Sequence, residues 1–379
     1  MFSITLSLAT LVSYTVAASL PRGADTVWQA SNFNSLITFG DSYTDENRLN
    51  YFASHNGSAP PAGTFLPESF ATASGGKTWP RYVVQYAGSN SANEWDPKLT
   101  LYNYAVSGAV CSNEITPRTF PAIKANFPSV LEYELPAFLA DLPSTRNNTT
   151  PTTAYFTPPL APTSAAYALW IGTNDLGIWA FLTNSQVPGT TIPDYMSCVF
   201  SVLDGLYASG ARAFVLMNAA PLHLAPLYAN ATLHGAGSNQ YWPLKNATNA
   251  TQVAETMHEA VANVNALYRY RTPYEALVAK RYPGASFAVF DVGGLLEDVY
   301  THPNEYLNGT EGADVQGFEH RCSEGEDGMW DRCELAFGGG SPDSFMWYDE
   351  LHPSTQTDRV IAREFLGVLD GGSRWAEYW

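Results

Sequence analysis

The chain has 379 residues, 45% of them hydrophobic and 13% aromatic, which is ample for a large core and excludes a disordered chain. Its formal net charge is −17, with 19 Lys and Arg against 36 Asp and Glu, and no basic stripe is visible. Nucleic acid and anionic membrane surfaces are therefore not expected partners.

Residues 1–18 (MFSITLSLATLVSYTVAA) are apolar and end in small residues, with Val16-x-Ala18 placed for cleavage before Ser19. They read as a secretory leader, too short in their apolar part for a membrane anchor. Short β-rich runs follow at 36–39, 101–105, 167–171, 213–217 and 286–290. Helix-like stretches lie at 80–87, 129–140, 194–209, 252–280 and 355–369, the fourth broken or kinked at Pro273. This alternation predicts α/β units with a parallel sheet covered on both faces. Segments 143–163, 221–251 and 304–343 do not fit the rhythm and read as surface excursions of one domain over residues 19–379.

Sequons at Asn56, Asn147, Asn148, Asn230, Asn246, Asn249 and Asn308 agree with secretion, and three crowd into 230–251. Four cysteines suit an oxidising compartment. Cys322 and Cys333 bracket a Gly-rich loop and are expected to pair. Cys111 and Cys198 then pair with each other or remain free.

Four stretches carry chemistry. In Phe39-Gly40-Asp41-Ser42 an apolar strand ends at a glycine, and Ser42 falls where a following helix would begin, a good position for a nucleophile whose substrate becomes an oxyanion. Asp41 or Ser42 could equally serve as a helix cap. Asn103-Tyr104-Ala105-Val106-Ser107-Gly108 follows a strand and ends in a glycine whose N–H could turn inward. Gly172-Thr173-Asn174-Asp175 follows another, with an amide in reach of the same place. Gly108 and Asn174 are also ordinary turn residues. In Asp349-Glu350-Leu351-His352-Pro353 the acid lies three residues before the imidazole, so both can share one face of a turn. The carboxylate could then hold Nδ1–H and aim Nε2 at a serine. The other reading is a turn leading into a helix, capped by Asp349 or Ser354.

Together, and in this order, the four stretches resemble the GDSL esterases and lipases, or SGNH hydrolases. Phe39-Gly40-Asp41-Ser42 matches the first block, Gly108 the second, Gly172-Thr173-Asn174-Asp175 the third and Asp349-x-x-His352-Pro353 the last. The resemblance implies Ser42 as nucleophile, His352 as general base and then acid, and Asp349 as its orienting partner. It also implies an oxyanion hole from the N–H groups of Ser42 and Gly108 and the Asn174 side chain. Asp41 would shape the turn. The expected fold is a three-layer α/β/α domain with a five-stranded parallel sheet in flavodoxin-like order. Tyr43-Thr44-Asp45-Glu46-Asn47-Arg48 replaces the family's small residue after the serine. The wording of the first, third and last blocks is similar to secreted fungal carbohydrate esterases of family 16, which implies acetyl esters of plant-cell-wall sugars or oligosaccharides as substrate. A lipase or phospholipase acting on longer acyl chains is the alternative; an inactive secreted glycan-binding protein is a third.

No metal or organic cofactor is expected. Gly75-Gly76-Lys77-Thr78 resembles the end of a phosphate loop, but the first glycine such a loop needs is Ala71. No Gly-x-Ser-x-Gly or His-Glu-x-x-His occurs. Tyr43, Trp170, Trp179 and Trp347 lie close to the blocks and could pack in the core or stack on sugars.

Overall fold

Ser35–Gly40 is buried at all six positions, so the strand it forms, β1, must be covered on both faces. The computed structural model describes residues 27–88, 94, 96–147, 149–323, 325, 332–336 and 340–379; the leader at 1–18 and Asn148 lie outside them. β1 pairs in parallel with β2 (Thr100–Asn103) on one side and β3 (Ala165–Trp170) on the other. β4 (Ala213–Met217) and β5 (Ser286–Phe290) continue the parallel sheet. A sixth strand, β6 (Ala376–Tyr378), closes the edge antiparallel to β5. The order is β6-β5-β4-β3-β1-β2. The five parallel strands thus follow the flavodoxin-like order, and the antiparallel edge strand is an addition to the expected five.

Helices α1 (Arg48–Ser54) and α2 (Trp79–Ala87) lie between β1 and β2, and α3 (Leu135–Asp141) precedes β3. The one-turn α4 (Thr173–Leu176) and α5 (Ile192–Ala208) precede β4. Then come α6 (Ala250–Pro273), α7 (Val292–Thr301) and α8 (Thr355–Leu369). Right-handed crossovers put α2 on one face of the sheet and α3, α5 and α6 on the other; α8 packs against α2, and α5 against α3 and α6. Pro273 ends α6 without stopping the chain's helical course. It has no N–H to donate, and the chain widens into a π turn over Tyr274–Val278, closed by Ala279 N–H to the Tyr274 carbonyl at 2.8 Å.

Two disulfides are present. Cys111–Cys198 ties the loop after β2 to α5, and Cys322–Cys333 joins the two strands of a hairpin (His320–Ser323 with Arg332–Leu335) within the 304–343 excursion. Among the described residues no helix is long and apolar enough to cross a membrane.

Candidate active site

Every candidate side chain stands just beyond the carboxyl end of a parallel strand or on the loop before α8. β1 ends at Gly40 with φ +150°, and a Cβ there would lie 2.1 Å from the Trp170 carbonyl oxygen of β3. Only glycine permits the two strand ends to approach so closely. Its N–H donates to Glu134 Oε2 at 2.9 Å. The chain then makes a single turn and not the start of a helix: Thr44 and Asp45 N–H both donate to the Asp41 carbonyl at 2.9 Å, and Tyr43 N–H to Asp41 Oδ1 at 3.1 Å. Helix α1 is deferred to Arg48 because the Asp45 carboxylate caps it, accepting from Arg48 N–H at 2.7 Å and Leu49 N–H at 3.1 Å. Ser42 is left 6% exposed at the floor of a cleft of about 840 Å³.

Asp45 also accepts from Ser107 N–H at 2.8 Å, which fixes the loop after β2 against the turn that carries Ser42. Gly108, next in that loop, has φ +82°, and a Cβ on it would sit 2.3 Å from the Phe127 ring. Arg118 Nη1 donates to the Gly108 carbonyl at 2.8 Å. Among the described residues neither Ser42 N–H nor Gly108 N–H donates an intramolecular hydrogen bond. Asn174, on α4, donates one amide hydrogen to the Ala109 carbonyl at 2.9 Å, and its second has no partner among the described residues. Asp175 fastens the same two loops from below, accepting from Thr116 Oγ1 at 2.7 Å and from Cys111 N–H at 3.1 Å. Ser42, Gly108 and Asn174 all line the cleft.

His352 closes the set. Its Nε2 lies 2.8 Å from Ser42 Oγ, and its Nδ1 lies 2.9 Å from both oxygens of Asp349. Asp349 Oδ1 also accepts the N–H groups of Leu351 and His352, each at 2.8 Å, so the three-residue spacing works as a tight carboxylate turn. Ser354, not Asp349, caps α8, accepting from Thr357 N–H at 3.1 Å. Burial alone would raise the Asp349 carboxyl. The opposing charge of His352 and the hydrogen bonds from its ring, the Tyr241 hydroxyl and the His352 N–H outweigh it and hold the group below its ordinary range.

Some participants were not visible in the sequence. Tyr241 donates to Asp349 Oδ2 at 2.7 Å, and Gln240 Nε2 to Glu350 Oε2 at 3.1 Å. Both belong to the 221–251 excursion, which Leu227 N–H pins to the Glu350 carbonyl at 2.6 Å. No local pattern announces Tyr241, because its partner is 108 residues away. Of the four suspect aromatics, Tyr43, Trp170 and Trp347 are buried and hydrogen-bonded to the carbonyls of Leu351, Asn218 and Val315. Trp179 is the exception, exposed and lining the cleft. The hairpin cysteines Cys322 and Cys333 also line it.

The model of the GDSL-like lipase/acylhydrolase family matches residues 36–365, from β1 into α8. The chain belongs to this family. A GDSL-like hydrolase of this kind cleaves carboxylic esters. Its relatives include an acetylesterase of Hypocrea jecorina, 40% identical over 92% of both chains, and an acetylesterase of Thermothelomyces thermophilus, 23% identical over 98% of both. A thermolabile hemolysin of Vibrio parahaemolyticus is 24% identical over 93% of this chain and 67% of that one. Among solved structures, an acetylxylan esterase of Geobacillus stearothermophilus aligns over 90% of this chain and 95% of that one, at 13% identity and a TM-score of 0.40.

Proposed function

We propose that the protein is a serine acetylesterase that removes acetyl groups from carbohydrates or oligosaccharides through an acyl-enzyme. The observation that carries the mechanism is the 2.8 Å approach of His352 Nε2 to Ser42 Oγ. The 40% identical acetylesterase, aligned over 92% of the chain, supports the acetyl group as the one transferred. His352 takes the Ser42 proton as Oγ attacks the ester carbonyl. The N–H groups of Ser42 and Gly108 and the free Asn174 amide hydrogen receive the oxyanion. Asp349 stabilises the imidazolium, which then protonates the departing sugar oxygen. Water repeats the sequence on the acetyl-serine. No step requires a metal or organic cofactor.

The protein is further proposed to be secreted, with residues 1–18 as its leader. Two disulfides support an oxidising compartment. The asparagines Asn56, Asn147, Asn246, Asn249 and Asn308 are exposed and Asn230 is half-buried, so glycans at these sequons could be borne outside the core.

The test is hydrolysis of the acetyl, butyryl and palmitoyl esters of one chromogenic alcohol by the protein and its Ser42→Ala variant. The acetyl ester should be cleaved fastest, and the variant should lose about 10⁴-fold or more in kcat. A preference for palmitoyl would establish a lipase instead; equal rates for the two proteins would remove Ser42 from the chemistry.

A further inference from the structure

Trp170 and Trp179 flank the same block, yet the fold treats them oppositely. Trp170 is buried at the end of β3, whereas Trp179 is 52% exposed. Among the described residues no other tryptophan is in the exposed class. Its ring makes no aromatic or cation–π contact among them either. This exposure is built, not incidental. Trp179 has φ +67°, a left-handed conformation that a bulky L-residue adopts only when its surroundings enforce it. The neighbours on both sides, Ile178 and Ala180, are buried. Trp179 N–H donates to Thr183 Oγ1 at 3.1 Å, and Ser185 N–H closes the turn onto the Ala180 carbonyl at 3.0 Å. The chain thus accepts backbone strain to leave its largest apolar side chain in water, which core packing does not explain.

Trp179 lines the same cleft as Ser42 and stands five residues after Asn174, so α4 and the turn after it fix its backbone relative to a proposed oxyanion donor. A flat, electron-rich face in the same cleft as the proposed nucleophile suits the C–H face of a pyranose ring, which is apolar on one side and wet at its edges. Asp45, Glu46 and Asp349 line the cleft; Arg118 is the one guanidinium among its described lining residues, and its Nη1 is engaged by the Gly108 carbonyl at 2.8 Å, so with a net charge of −17 a uronate is disfavoured. We infer that Trp179 is a stacking platform for a neutral pyranose ring in the alcohol part of the substrate, so that the cleft selects acetylated oligosaccharides over small alkyl acetates. This inference rests on the acetylesterase reading given above.

The test compares an acetylated neutral oligosaccharide, such as mono-O-acetyl xylotriose, with ethyl acetate, which has no ring to stack. In Trp179→Ala, kcat/KM should fall about tenfold more for the sugar ester than for ethyl acetate, mainly through KM, and Trp179→Phe should lose less. In the Ser42→Ala background, calorimetric binding of the acetylated oligosaccharide should weaken by a similar factor when Trp179 is replaced by alanine. Equal losses on the two esters, or no loss on either, would overturn the platform while leaving the acetylesterase reading intact. A wild-type protein active on ethyl acetate but inert on the sugar ester would instead overturn the carbohydrate substrate, and the platform with it.

Discussion

Tyr241 donates its phenolic hydrogen to Asp349 Oδ2 at 2.7 Å, joining the 221–251 excursion to the proposed triad. Its oxygen is also 3.5 Å from His352 Nδ1. Both carboxylate oxygens are therefore engaged from outside the imidazole, Oδ1 by the backbone and Oδ2 by Tyr241. Tyr241→Phe keeps the ring and removes one donor from a buried anion. A hydrogen bond to a charged group contributes about 1.5–3 kcal/mol. The less satisfied carboxylate should lean harder on the imidazolium. The expected result is a several-fold loss in kcat together with an acid limb of kcat/KM displaced toward higher pH. A variant with an unmoved acid limb would show that Tyr241 only fills space.

Gly108 faces two separate constraints. A Cβ would strike the Phe127 ring at 2.3 Å, and φ +82° is strained for any L-residue even with room available. Gly108→Ala should turn the peptide carrying the proposed oxyanion donor and lower kcat by about 10²–10³. The double variant Gly108→Ala/Phe127→Ala separates the constraints. It removes the clash but not the backbone strain, so activity should stay low. Recovery to near the wild-type rate would mean that steric contact alone demands the glycine.

The blocks could be read from the sequence because each is local: a strand, its end, and a polar residue within a few positions. The same locality explains what was missed. The turn after Ser42 depends on Asp45, which reaches forward to Arg48 and Leu49 and across to Ser107, and the sequence resembles a helix start there until those bonds are known. β6 has only three residues, too few for a pattern, and exists because β5 offers it an edge. Tyr241 acts on a carboxylate 108 residues away. Trp170 and Trp179 are indistinguishable by composition; the backbone at Trp179 decides which of them meets solvent.

The two disulfides should contribute unequally. Cys111–Cys198 closes 87 residues of chain and Cys322–Cys333 closes 11. On the chain-entropy account the longer loop stabilises the fold by about 2 kcal/mol more than the shorter. Cys111 N–H also donates to Asp175, beneath the loops that carry Gly108 and Asn174. Denaturant unfolding of Cys111→Ala/Cys198→Ala and Cys322→Ala/Cys333→Ala should therefore show the larger loss in the first pair, with a fall in activity. Equal losses would mean that native-state contacts outweigh loop closure here.

Stability should fall as pH rises through the neutral range. Burial raises the Asp41 carboxyl to about 6, despite the Tyr43 N–H bond, and the Asp175 carboxyl to about 7, despite the donors on Thr116 and Cys111. Burial also lifts Glu134 and Asp358 well above their ordinary range. A carboxyl raised in the folded state binds its proton more tightly there than in the unfolded chain. Its stabilising contribution is complete below the unfolded value, 3.8 for Asp, and is lost as pH rises through 6 and 7. Asp349 is held low, so its opposite contribution is lost only in stronger acid; His223, held down to about 4 by burial and by His258, and His320, held low by burial, oppose the trend below about pH 6.5 but are outnumbered by the raised carboxyls. The thermal midpoint should therefore fall by several degrees between about pH 5 and about pH 8. Asp175→Asn keeps an acceptor for Thr116 and Cys111 but cannot ionise, and should flatten the stability profile. A midpoint that rises with pH in the unmodified protein would mean that these buried carboxyls are ionised in the fold and paired more strongly than their surroundings indicate.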